Sequence, residues 1–333
     1  MANDPLDELP APQRETARAA LRAAFGTAQV SAIAPVTGGA SGAFPFRAEI
    51  AGRRYLVRIE GAASPLRNPH QYKSMQIAAE AGIAPRIYAI DEMARVAVMD
   101  FIEARPLSGY PLGSAALAQA VGELLGRVQA TKPFSEFVAY PELVGRLWAW
   151  VCQTGLFAPG VLDPYTDHFA RIREAYKPES ATAVSSHNDP VPRNLLFDGE
   201  RLWLIDWESA YRNDPLVDIA IALDSFAPSP ELETLLLRAW LGRAPDDALI
   251  TRLALTRALT RLYYTGVLFS ASAAASGALA DTDPSAPTVP DFRRAIRDGR
   301  LRPGTPETKH TLGKMYLASF FAGVTPPGLD AAV

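Results

Sequence analysis

The run His187-Asn188-Asp189-Pro190-Val191-Pro192-Arg193-Asn194, with Leu204-Ile205-Asp206-Trp207-Glu208 close behind it, holds the residues of this chain best suited to chemistry. An Asp is followed by an Asn five residues later and by a second Asp twelve beyond that. Phosphoryl transfer from ATP needs one carboxylate to orient the attacking hydroxyl and two hard oxygen ligands for the magnesium ion on the phosphates. Asp189 can supply the first. Asn194 and Asp206 can supply the second, because magnesium takes few protein ligands and completes its shell with phosphate oxygens and water. Any one of these residues alone reads as a polar cap in a surface loop. The ordered set reads as the working part of a small-molecule kinase.

The neighbouring pattern supplies the elements that must position them. Leu195-Leu196-Phe197 is a short apolar run, Asp198-Gly199 is a strong two-residue turn signal, and Arg201 to Ile205 alternates polar with apolar. This predicts a hairpin whose open end brings Asn194 and Asp206 together. Asp189 falls in a loop interrupted by Pro190 and Pro192, where a positioned catalytic group is expected.

The segment from His187 to Asp218, ending Asn213-Asp214-Pro215-Leu216-Val217-Asp218, resembles the signature of the aminoglycoside phosphotransferase and choline kinase family. That resemblance implies an α+β, protein-kinase-like two-lobed fold. A small antiparallel-sheet N-terminal lobe, residues 1–103, would bind nucleotide. A larger, mainly helical C-terminal lobe, residues 104–333, would carry the catalytic loop, metal site and substrate pocket. It further implies Asp189 as the catalytic base, Asn194 and Asp206 as magnesium ligands, His187 as a brace for the catalytic loop, and Asp218 as a structural residue holding that loop from the following helix. ATP and Mg2+ are the implied cofactors.

The N-terminal third carries matching features. Val36-Thr37-Gly38-Gly39-Ala40-Ser41-Gly42-Ala43 is a small-residue loop, and Phe46 to Ile50 and Tyr55 to Ile59 read as strands around Ala51-Gly52. Small residues let backbone N–H groups approach phosphates, so Gly39, Ser41 and Gly42 are candidate contacts; such turns also occur in hairpins that bind nothing. Tyr55-Leu56-Val57-Arg58-Ile59-Glu60-Gly61 resembles the third strand of choline-kinase-like proteins, where Arg stands in place of the usual kinase lysine. The chain has five lysines and none falls in a nucleotide-lobe strand, which leaves Arg58 as the phosphate cation. Its fork suits phosphate oxygens. Val96 to Leu107 resembles the strand and hinge that hold adenine through main-chain hydrogen bonds, at Asp100, Phe101 and Ile102.

Two positions depart from the family pattern. The helix before Gly82 has Gln71 and Lys73 where an acidic partner for the strand cation is usual, and Glu80 sits too near the helix end. Arg58 is then to be oriented by Glu60 or by phosphate itself. Gln129 stands where many members carry His.

The remaining signals set bounds. The chain has 333 residues, enough for two lobes with their own cores, and its 48% hydrophobic and 21% charged content is ordinary for a globular protein. A net charge of −3 with scattered Arg gives little support for nucleic-acid binding. The single Cys152, the absence of an apolar signal core at the N-terminus and the absence of any run long enough to span a bilayer lead to an expectation of a cytoplasmic protein. Helices are predicted over 12–25 (closed by Gly26), 114–130, 231–274 and Thr308 to Phe321, with a loop or insertion from Ser270 to Pro290.

The resemblance implies a small-molecule alcohol as acceptor. Arg58, the hinge and Trp207-Glu208 resemble the choline and ethanolamine kinase branch, and Trp207, Glu208 and Tyr211 are candidates for a pocket that takes an ammonium group; their alternative is core aromatics and a helix-start carboxylate. A short-chain dehydrogenase is excluded, because the glycine loop leads into a strand and no Tyr is followed by Lys at the fourth position. A hydrolase on Ser185 or Ser186 lacks the Gly-x-Ser-x-Gly elbow. A kinase-like protein that binds nucleotide or ligand without turnover is the serious alternative.

Overall fold

The computed structural model describes residues 4–36, 42–61, 68–177, 182–274 and 280–323. In chain order the elements are α1 (Ala11–Phe25), β1 (Ala32–Pro35), β2 (Phe44–Ile50), β3 (Arg53–Ile59), α2 (Gln71–Glu80), β4 (Ile87–Asp91), β5 (Val96–Asp100), α3 (Gly113–Gln129), α4 (Tyr140–Gln153) and α5 (Asp163–Ala175). They continue with β6 (Val184–Ser186), β7 (Leu195–Phe197), β8 (Leu202–Leu204), β9 (Tyr211–Asn213), α6 (Pro215–Phe226), α7 (Pro230–Leu241), α8 (Asp247–Ala273), α9 (Val289–Arg297) and α10 (Pro306–Ala322). The chain forms two compact units, Met1–Pro106 with Leu195–Ala210, and Leu107–Asn194 with Tyr211–Val333.

The first unit is built on an antiparallel sheet ordered β1-β2-β3-β5-β4. Ile50 pairs with Arg53, so β2 and β3 are joined by Ala51-Gly52 alone, both at positive φ (50° and 76°), the tight turn whose twist suits a hairpin. Alternation along β3 then decides what faces where. Val57 and Ile59 enter the core that Ala17, Ala20 and Leu21 of α1 close, while Leu56 and Arg58 fall on the opposite face. The β7–β8 hairpin is present with Leu195 opposite Leu204. Its turn is pinned by Asp198, whose carboxylate accepts the N–H groups of Glu200 and Arg201 (2.8 and 2.9 Å) and the indole N–H of Trp203 (2.7 Å). The hairpin belongs to the first unit through Leu204 N–H to Ile83 O (3.0 Å) and Arg105 N–H to Phe197 O (2.7 Å).

The second unit is helical. Of the stripe its sequence predicts, Leu117, Val121, Leu124, Leu125 and Val128, α3 buries the last four and leaves Leu117 half-buried. It meets α7 so closely that a Cβ on Gly122 would strike the Leu236 carbonyl. The helical pattern over 231–274 resolves into two helices, because Gly242 adopts φ 70° and caps α7, after which Asp246 accepts from Leu249 N–H to start α8. Ser270 to Ala273 are the last turn of α8 rather than loop. Helices α4, α8 and α10 share a core with Tyr140, Trp148, Leu259, Phe269, Met315 and Phe320. Among the described residues no helix is long and apolar enough to cross a membrane.

The loop before α9 is fastened by Asp281, which takes Lys314 Nζ at 2.6 Å and His310 Nε2 at 2.7 Å. Burial works to raise the Asp281 carboxyl, but the hydrogen bonds from Lys314 and His310 outweigh it and hold it at about 2. A carboxyl depressed in the folded state stabilises fully above its ordinary value of 3.8 and loses that contribution as pH falls toward about 2. Asp281→Asn is therefore expected to melt earlier than the unaltered protein at neutral pH, with the gap closing as pH drops through that window. Melting curves across the range check this; a gap that does not change with pH contradicts it.

Candidate active site

The second unit fixes Asp189. β6 pairs with β9, Ser186 opposite Tyr211, and runs directly into the loop. Both arms of the Asp218 carboxylate, on α6, accept from that loop: His187 N–H at 2.8 Å and Asn188 N–H at 2.6 Å. Asn188 sits at φ 63°, a left-handed conformation that its side chain supports by accepting from Asn213 Nδ2 at 2.8 Å. Asp218 is fully buried, and burial raises its carboxyl pKa even though the His187 charge and the two loop N–H groups pull it down. His187, the expected brace, is buried.

What this clamp presents is a carboxylate held at both oxygens. Asn194 Nδ2 donates to Asp189 Oδ2 at 2.8 Å and to the Asp189 carbonyl at 2.9 Å. Arg193 Nη2 lies 3.3 Å from the same Oδ2, and the Tyr264 hydroxyl donates to Oδ1 at 2.6 Å. Tyr264 is buried on α8, and burial followed by the Asp189 charge pushes its pKa well up, so it remains a protonated donor. Because the Asn194 amide nitrogen is turned to Asp189, its carbonyl oxygen is the donor left for a cation.

Tyr264 and Arg193 are functional candidates that sequence reasoning missed. Tyr264 reads as a core aromatic, and it is one, but its hydroxyl reaches a residue 75 positions away, which no local spacing encodes. Tyr264→Phe keeps the ring and removes the donor. It is expected to lower turnover roughly tenfold and to lower the melting temperature as well, since one hydrogen bond to a charged group is worth about 1.5 kcal/mol or more to the folded state. Steady-state kinetics check it; unchanged kcat would show that Asn194 and Arg193 alone hold Asp189.

The first unit fixes Arg58. From the face of β3 opposite α1, its Nη2 meets Asp206 Oδ1 at 2.6 Å and Glu208 Oε2 at 3.7 Å, and its Nη1 donates to Glu60 Oε1 at 3.0 Å. Burial lowers the guanidinium pKa, but the charges of Asp206, Glu60 and Glu208 outweigh it and the net shift is upward. Asp206 adopts φ 64°, ψ 65°, a conformation rarely held by a non-glycine residue and common where a group must be aimed.

The other candidates fall as follows. Gly39 and Ser41 lie outside the described residues. Gly42 is described, and its carbonyl lies where a Cβ on Gly61 would stand, so glycine is required at 61. At the hinge, Asp100 N–H is bonded to Arg86 O (2.9 Å) and Phe101 N–H to Arg54 O (3.4 Å); Ile102 N–H makes no backbone hydrogen bond to a described residue. Trp207 is buried in the first unit with its indole donating to Leu204 O at 3.2 Å, and Glu208 joins the Arg58 cluster. Tyr211 is buried in the second unit, edge-on to Phe137 at 5.5 Å. Gln129 accepts from Trp240 Nε1 at 2.8 Å and donates to Pro215 O at 3.0 Å, tying α3 to α7 and to the start of α6. The donor chemistry fits magnesium: Asn194 offers an amide carbonyl and Asp206 a carboxylate, both hard oxygens.

Comparison with known proteins bears on the family and the fold. A family model described as the phosphotransferase enzyme family matches residues 32–253, more than half of the 333. Protein LicA of Haemophilus influenzae is 44% identical over 54 residues, which is 16% of this chain and 20% of that protein, so the match spans about one fifth of the relative's length. The solved structure of a choline/ethanolamine kinase family protein from Mesorhizobium loti superposes with a TM-score of 0.63 at 22% identity, covering 92% of this chain and 98% of that one. A spectinomycin phosphotransferase solved in complex with ADP and spectinomycin gives 0.57 at 13% identity over 95% and 99% of the two chains. At such identities these likenesses speak for the fold, and it is the α+β, protein-kinase-like one, with a small antiparallel sheet and a helical part. The chain belongs to the phosphotransferase enzyme family, which makes it a small-molecule kinase by class.

Proposed function

We propose that this phosphotransferase moves the γ-phosphate of ATP to the hydroxyl of a small amine alcohol, of the choline or ethanolamine kind or an amino-sugar, and that it requires Mg2+. The observation that supports this most is Asp189, a carboxylate gripped at both oxygens beside an Asn whose carbonyl is left for a metal. In the proposed reaction Asp189 orients the acceptor hydroxyl and takes its proton. The acceptor oxygen forms its bond to the γ-phosphorus as the bond to the bridging oxygen of ADP breaks. Arg58 neutralises phosphate charge, with the backbone around Gly42 and the preceding Gly39 and Ser41 as further contacts. Asn194 and Asp206 would hold magnesium, which when bound shields the phosphate oxygens. Ile102 N–H is the adenine donor of the hinge.

The acceptor side rests on tyrosines. Tyr264, bonded to Asp189, stands 5.6 Å from Tyr263, and Tyr263 stands 5.9 Å from Tyr140. The Tyr140 hydroxyl is buried with no hydrogen-bond partner among the described residues. Aromatic faces beside a carboxylate attract an ammonium group, and an orphaned hydroxyl can meet a polar group of the acceptor. Tyr211 remains a candidate for the same pocket, while Trp207 and Glu208 are assigned to supporting the hairpin and Arg58. The place of action is the cytoplasm, where the exposed thiol of Cys152 stays reduced.

ADP release from magnesium-ATP across choline, ethanolamine, thiamine, amino-sugars and homoserine tests this. Stimulation by one amine alcohol supports it. Silence across the panel with ATP still bound favours the kinase-like binder without turnover.

A further inference from the structure

Arg58 must be aimed before a nucleotide arrives, because fixing a free Arg side chain costs rotamer entropy. Three carboxylates surround it, and they are not equivalent. Asp206 makes the shortest contact, but it is also the candidate metal ligand and cannot stay committed to Arg58 once a cation takes that oxygen. Glu208 is at 3.7 Å, beyond hydrogen-bond range. Glu60 is buried and within hydrogen-bond distance, and nothing in the proposed reaction draws it away.

Glu60 is itself held. Its Oε1 accepts from Arg58 and its Oε2 accepts from Gln71 Nε2 at 2.9 Å, so one carboxylate bridges the end of β3 to the first turn of α2. A carboxylate only accepts, so Gln71 must present its NH2 group here. The Glu60 main-chain N–H is fixed in turn by Arg95 O at 2.9 Å. Gln71 occupies the helix position where the sequence departs from the usual acid. An acid there would face Glu60 with no proton between the two carboxylates, so Gln at 71 and Glu at 60 are complementary.

We propose that Glu60, tied down by Gln71, is the positioning residue that aims Arg58 at the phosphates, the acid having moved from helix to strand end and the helix contributing an amide instead. This rests on the phosphoryl-transfer reading above. Loss of aim and loss of binding then separate. Glu60→Gln removes negative charge near the phosphates, which does not weaken attraction of an anionic nucleotide, yet it loosens the guanidinium in the transition state.

The test is steady-state kinetics with magnesium-ATP and the acceptor found active, with binding of magnesium-ATP by calorimetry and melting temperature measured on the same samples. Glu60→Gln is expected to lower kcat roughly tenfold, from one hydrogen bond to a charged group, while KM for ATP and the binding constant move less than about threefold. Gln71→Ala leaves the carboxylate but frees it, and is expected to lose about threefold in kcat with the same split; it also decides the matter if Glu60→Gln does not fold. Folded variants with unaltered kcat overturn the proposal, as does a parallel loss of binding and turnover. If the unaltered protein neither binds magnesium-ATP nor releases ADP, the phosphoryl-transfer reading fails first and takes this one with it.

Discussion

Asp189→Ala is expected to lower kcat about a thousandfold or more while leaving affinity for magnesium-ATP nearly unchanged. General-base catalysis contributes on the order of a hundredfold to ten-thousandfold. Here the same carboxylate also anchors Asn194 Nδ2 and the Tyr264 hydroxyl, so its removal takes away the proposed base and loosens Tyr264 beside the proposed acceptor pocket. Nucleotide affinity is expected to be spared because Arg58, the proposed phosphate cation, and its supports lie in the first unit, on β3, α2 and the turn after β8. Turnover with the active acceptor, set beside calorimetric nucleotide binding, reads both numbers. Turnover equal to that of the unaltered protein would remove Asp189 from the mechanism.

Arg58→Ala is expected to act on stability as strongly as on activity. Its guanidinium is the common partner of Glu60, Asp206 and Glu208, and Glu60 is buried. Removing one partner of a buried ion pair leaves an uncompensated charge and typically costs about 3–5 kcal/mol. A loss of about 3 kcal/mol is therefore expected for the first unit by denaturant unfolding. Adding Glu60→Gln to Arg58→Ala removes the stranded charge and should recover part of the loss, a non-additivity characteristic of residues in contact. An Arg58→Ala protein with an unshifted unfolding midpoint would mean that water already compensates the three carboxylates.

Legibility from sequence followed the distance over which each feature is encoded. The candidate loop was readable as a motif because Asp189 and Asn194 are five residues apart, and the hairpin after it was readable because Asp198-Gly199 and the flanking alternation are local signals. The helices over 12–25 and 114–130 were readable for the same reason, each being one amphipathic stripe, the first closed by Gly26. The break between α7 and α8 depends on one left-handed glycine inside an otherwise helical pattern, which the pattern alone runs through. Tertiary pairings stayed hidden. Tyr264 looks like any core aromatic of α8 until its hydroxyl is seen at Asp189, and Gln71 looks like a lost acid until its amide is seen on Glu60. Trp207, next to the motif, carries the same composition signal whether it lines a pocket or fills a core; its burial and its bond to Leu204 O are set by the fold. That Leu195–Ala210 packs with the first unit depends on contacts such as Leu204 N–H to Ile83 O, across more than a hundred residues of chain.

The most direct measurement is phosphorus NMR of the protein with magnesium-ATP and the amine-alcohol panel, run in parallel with Asp189→Asn. A phosphomonoester resonance on one acceptor, growing as the γ-phosphate signal of ATP falls and absent with the variant, is the result expected. Equal phosphomonoester formation by Asp189→Asn, or loss of the γ-phosphate to inorganic phosphate alone with every acceptor, would contradict transfer to a small-molecule hydroxyl directed by Asp189.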